Sequence, residues 1–134
     1  MEQVTNQNWS PVKSFLILII LGILGLTVLN AYFSARKVAA DQIRVGDIQL
    51  IQQFLKAYND NQGNYPTSSQ NQPQGWQSYL EFLPQPPANA DGCSIDSNQY
   101  KYSSQNSGKS YRLSFCLGRS VGPFIKGNNS LGPD

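Results

Sequence analysis

The sequence predicts an α+β fold in which one long N-terminal helix precedes a small antiparallel sheet. Three features carry that expectation. Residues 14 to 34 contain no charged side chain and are dominated by Leu, Ile, Val and Gly. Apolar residues then recur at helical spacing as far as Tyr58, with no proline among them. Further on, Tyr100 and Tyr102, then Tyr111, Leu113, Phe115 and Leu117, alternate with polar neighbours, which is the period of a half-buried strand. At 134 residues the chain has room for one small domain with a thin core, and not for a second.

The apolar run, at about 1.5 Å per residue, is long enough to cross a hydrocarbon core of roughly 30 Å. A soluble domain of this size cannot bury every face of such a helix. The rival is a cleaved secretory signal, whose apolar region normally runs about 7 to 15 residues and ends at small residues. This run is longer and leaves through Asn30, Ala31, Tyr32 and Phe33, which favours retention, while Ser34 and Ala35 still offer a cleavage point. Residues 1–13 are therefore expected to be a cytoplasmic, leader-like segment, 14–34 a transmembrane helix and 35–134 an extracytoplasmic domain.

Orientation sets two signals against each other. Lys13 precedes the span, whereas Arg36, Lys37 and Arg44 follow it, so a count of positive charges alone places the C-terminal part in the cytoplasm. Cys93 and Cys116, the only cysteines, flank the expected hairpin and read as one disulfide formed in an oxidising compartment. The alternatives are two buried free thiols or a two-ligand metal site, the latter weakened by the absence of His and of further Cys. The cysteines are given the greater weight.

Within the domain, residues 35–60 are expected as an amphipathic helix. Ile48, Ile51, Leu55 and Tyr58 form one stripe with Phe54 beside it, and Arg44, Gln49, Gln52, Gln53 and Lys56 fall on the opposite, solvated side. Joined to the apolar run, this gives a continuous helix from Ser14 to Tyr58, close to 70 Å long by its rise per residue. Asn59 to Gly63 end it by side-chain competition and a left-handed cap. Residues 61–97 form a loop rich in Pro, Gln and Ser, with a short helix between Gly75 and Pro84 marked by Trp76, Tyr79, Leu80 and Leu83. Residues 98–126 hold the strands, with a turn from Gln105 to Lys109 and a short third strand at Phe124 and Ile125. Residues 127–134 read as an irregular tail.

The same residues narrow the function. Lys and Arg number 10 against 8 for Asp and Glu, a balance too even to argue for nucleic acid. The lack of His removes the commonest general base and metal ligand, and no nucleophile with a base can be assembled, so no catalytic, metal or cofactor site is expected. Asp91, Asp96 and Asn98 lie near Cys93 and supply oxygen ligands, yet they match no defined calcium motif and read more simply as solvated turn residues. Asp41 with Arg44 reads as an exposed helix pair worth a few tenths of a kcal/mol. Trp76, Tyr79 and Phe82 read as cover for the helix stripe rather than as a ligand platform. Gly22, Gly25 and Ala31 permit close approach between helices.

The order of these parts resembles a type IV pilin or pseudopilin. The resemblance is carried by Ala35-Arg36 through Ala39, Arg44, Asp47-Ile48, Ile51-Gln52, Leu55 and Tyr58, then Gly63-Asn64-Tyr65-Pro66-Thr67, and by the Tyr-x-Tyr strand followed by Tyr111 to Leu117. It implies that the amphipathic half-helix packs on the sheet, with Ile48, Ile51, Leu55 and Tyr58 meeting Leu113 and Phe115. It also implies a structural subunit of a type IV pilus-like or type II secretion-like filament, bundled through its apolar half-helices. The implied partners are membrane lipid, copies of itself or related pilin subunits, and a pilus or secretion assembly machinery, with the outer domain on the cell membrane's far side or in a surface filament. The chain departs from the pattern at the processing site, where Asn8, Trp9 and Lys13 stand in place of the usual Gly, Phe and fifth-position Glu. Pro11 and Asn30 are further departures. The alternative is a membrane-tethered extracytoplasmic binding module that does not polymerise; a membrane enzyme ranks last.

Overall fold

Helical structure extends beyond the expected bounds at both ends. In the computed structural model, which describes residues 10–87 and 90–133, helix α1 spans Pro11–Gln62. Pro11 opens it without cost, because a first-turn residue has no carbonyl partner for an N–H. Ser10 precedes it, and its hydroxyl accepts from the Lys13 amide at 3.4 Å. At the other end Asn59 to Gln62 remain helical, and the chain turns only at Gly63, whose φ of +73° is left-handed. Residues Met1–Arg36 and Lys37–Asp134 form two separate units, so α1 contributes to both.

In the second unit, a two-residue hairpin comes first, with β1 (Ser68–Ser69) paired to β2 (Gln72–Pro73). Gln70 and Asn71 both take positive φ at its turn, as tight hairpins require. The short helix expected between Gly75 and Pro84 is reduced to one 3-10 turn, Trp76–Ser78. Pro84, Pro86 and Pro87 lack amide donors and push the residues before them towards extended backbone, so the apolar group wraps rather than coils.

The main sheet has the order β3-β4-β5, all antiparallel: β3 (Lys101–Gln105), β4 (Ser110–Leu117) and β5 (Gly127–Leu131). Tyr102 lies opposite Leu113, and Leu113 opposite Leu131. The third strand is therefore not at Phe124 and Ile125 but in the segment expected to be an irregular tail. Phe124 makes only an isolated bridge with Val121. The outer edge of β3 is covered by the hairpin, where the Tyr102 amide donates to the Asn71 carbonyl at 2.7 Å.

The core lies between the second half of α1 and the inner face of the sheet. Ile48, Ile51, Phe54 and Leu55 pack with Tyr102, Tyr111, Leu113, Phe115 and Leu117, all buried. The rings interlock edge to face, Tyr65 on Tyr111 at 4.8 Å between centroids and Phe115 on Phe124 at 5.2 Å.

Candidate membrane interface and the cluster closing the folded unit

The first unit presents an unbroken apolar surface. From Phe15 to Phe33 every large apolar side chain is exposed, and the least exposed of them, Ile17, still shows 38% of its surface. α1 is long and apolar enough to cross a membrane. Its two polar residues inside the run bond within their own helix: Thr27 Oγ1 donates to the Leu24 carbonyl at 2.8 Å, and Asn30 Nδ2 to the Leu26 carbonyl at 3.0 Å. Such internal satisfaction suits a medium with no water to offer. Beyond the local helix backbone, nothing lies within 4 Å of where a Cβ would stand at Gly22 or Gly25, and Ala31 is exposed, so all three lie on open helix surface. At the far end of the run the Arg36 guanidinium sits 4.6 Å from the Tyr32 ring centre. Asn8 and Trp9, with the rest of residues 1–9, lie outside the described residues.

In the second unit the outcome differs from the sequence reading. Asp41 and Arg44 are not an exposed helix pair, and Arg44 is not on the solvated side: they are 2% and 1% exposed. Asp41 Oδ1 accepts from Arg44 Nη1 at 3.1 Å and from the Gly118 amide at 3.0 Å, tying the helix to the end of β4. Arg44 Nη2 donates to the Pro87 carbonyl at 3.0 Å and to Asn98 Oδ1 at 3.1 Å, tying it to the long loop. Burial of two charges is tolerable because each is paired and further hydrogen-bonded. Gly118 suits the close approach, since a Cβ there would stand 3.1 Å from the Asp91 amide nitrogen and 3.2 Å from Asp41 Oδ2, tighter than most such contacts.

The same loop is held at three more points. Cys93 and Cys116 form a disulfide that joins it covalently to β4. Tyr100 Oη donates to Asp47 Oδ2 at 2.7 Å, and burial, reinforced by that carboxylate, pushes the Tyr100 phenol above its ordinary pKa. Lys37 Nζ meets Asp91 Oδ2 at 2.6 Å at the surface, holding the Asp91 carboxyl below the usual carboxylate range. Asp91 and Asn98 are thus engaged by Lys37 and Arg44. No group of three or more His, Cys, Asp or Glu is placed to hold a metal among the described residues.

Of the residues expected in the core, Ile48, Ile51, Leu55, Leu113 and Phe115 are buried, while Tyr58 is partly buried at its margin. Tyr79 packs between Phe54 and Tyr58 at 5.4 and 5.8 Å, and Trp76 joins the margin, but Phe82 is 66% exposed and covers nothing. The polar cluster was detectable: 37, 41, 44, 48, 51, 55 and 58 advance by alternating steps of four and three, so the charged residues continue the apolar stripe. No known protein family, curated protein or solved structure matches the chain.

Proposed function

We propose that this chain is a membrane-anchored structural subunit that assembles through its apolar N-terminal helix into a type IV pilus-like or type II secretion-like filament. The observation that carries the reading is a single helix, α1, exposed and apolar from Phe15 to Phe33, whose later turns supply the core of a disulfide-bonded α+β unit. A tether alone needs no helix beyond the bilayer. Gly22, Gly25 and Ala31 offer points where neighbouring helices approach closely in lipid.

The disulfide favours a domain outside the cytoplasm. The count of positive charges, Arg36, Lys37 and Arg44 after the span against Lys13 before it, points the other way, and the disulfide is given the greater weight. Electron microscopy of sheared surface material, with mass spectrometry of its subunits, tests the reading. This chain is expected within filaments. A protein that stays monomeric in membranes and is absent from any filament is instead a tethered module.

A further inference from the structure

The modest net charge conceals a strong segregation. Residues 97–133 hold Lys101, Lys109, Arg112, Arg119 and Lys126 and not one Asp or Glu. This is the segment that folds into the sheet. Its inner face is buried by the alternation Tyr111, Leu113 and Phe115, so Arg112 and Ser114 between them face outwards, as do Asn128 and Ser130 on β5. Lys101 stands opposite Ser114, and Arg112 opposite Ser103, which sets the two cations diagonally on adjacent strands. Such diagonal neighbours lie about 7–8 Å apart at the backbone, within joint reach of one anionic group. Lys101, Arg112, Ser114, Asn128 and Ser130, together with Gln99 and Phe115, help line a concavity of about 350 Å³.

The ion pairs among the described residues are Lys37–Asp91, Arg44–Asp41 and Lys56–Asp60, so within the described residues neither Lys101 nor Arg112 has a carboxylate partner. Two cations in a depression whose other lining residues are Ser, Asn and Gln, with Phe115, form a donor set for an anionic, hydroxyl-rich ligand. A guanidinium and an ammonium take the carboxylate or sulfate, while Ser and Asn exchange hydrogen bonds with ring hydroxyls. The concavity lies within the range of small-ligand sites. Single-stranded nucleic acid would ask for aromatic stacking platforms, and Tyr102 and Tyr111 turn into the core instead.

We propose that the outer face of β3–β5 binds an acidic polysaccharide, one anionic sugar residue at a time, through Lys101 and Arg112. The site is a property of the folded sheet and does not depend on polymerisation, so it is tested separately from the filament reading. Full-length protein in nanodiscs is passed over immobilised oligogalacturonate, neutral maltooligosaccharide and oligodeoxythymidylate at low and high salt. Binding to oligogalacturonate alone, weakened by salt, is expected. Arg112→Gln and Lys101→Gln should each weaken it about tenfold, the loss of one charge-assisted hydrogen bond, and Lys101→Arg should retain it. Lys109→Gln, in the β3–β4 turn, should change it less than about twofold. Unchanged thermal unfolding of the variants certifies their fold. Equal binding to the neutral glycan, tighter binding to the oligonucleotide, no binding, or an equal loss with Lys109→Gln would overturn the proposal.

Discussion

Asp41 and Arg44, one helical turn apart, form an ion pair that is almost wholly buried, and each also bonds to a different part of the chain. Removing one partner leaves a charge without compensation. Arg44→Met is expected to destabilise the folded unit by about 3–5 kcal/mol. Arg44→Lys should recover only part of this, because an ammonium cannot reproduce the planar fork that reaches Asp41, Pro87 and Asn98 together. Denaturant unfolding measures both, and a loss below about 1 kcal/mol for Arg44→Met would refute the buried-pair account.

The disulfide closes the loop that Arg44 also holds. Non-reducing peptide mapping should recover Cys93 joined to Cys116 in protein taken directly from membranes. Replacing both by Ser should cost on the order of 3 kcal/mol, as expected for a loop of this length. Free thiols in protein isolated without reductant would count against the bond and against an oxidising location.

Leu55 sits at the centre of the core with no exposed surface. Leu55→Ala is expected to cost roughly 2–5 kcal/mol through lost burial and the cavity left behind. Leu50, on the exposed side of the same helix, should tolerate the same change within about 0.5 kcal/mol. Equal losses at the two positions would mean that the helix face is wrongly assigned.

Alkaline pH should loosen the loop through Tyr100. Its phenol has a folded-state pKa raised by burial and by Asp47, against an unfolded value of about 10. The stabilisation is therefore complete below about pH 10 and is lost as pH rises above that towards the folded-state pKa. Tyr102, buried with its hydroxyl donating to the Pro66 carbonyl at 2.6 Å, is shifted in the same direction. Tyr100→Phe should lower stability at pH 8 yet flatten the decline between pH 8 and pH 11. Parallel curves for the two proteins would argue against the coupling.

The filament reading makes its own demand on the open surface at Gly22 and Gly25. Gly22→Leu or Gly25→Leu should reduce filament yield while leaving membrane insertion intact, because Leu is at least as apolar as Gly but blocks close approach. Normal assembly of both variants would remove these positions from the interface.

Periodicity made most of this fold legible. The apolar run, the stripe from Ile48 to Tyr58 and the alternation around Leu113 each follow from one dominant spacing. β5 was not legible, because Gly-Asn-Asn-Ser reads as a turn, and the strand exists through backbone pairing with β4 rather than through its own side chains. The Asp41–Arg44 cluster escaped for a related reason: charge ordinarily signals exposure, and only partners far along the chain, Pro87, Asn98 and Gly118, make burial tolerable. The cations of the sheet are visible in the sequence, but only the strand register shows which two share a face.

The core also dictates an order of events during synthesis. The stripe from Ile48 to Leu55 leaves the ribosome long before its covering residues, Tyr102 to Leu117, have been made. On the proposed anchoring, the apolar run reaches the membrane first, and the chain would spend much of its translation tethered with an uncovered hydrophobic helix. Contacts this distant in sequence form slowly and expose the nascent chain to wrong partners.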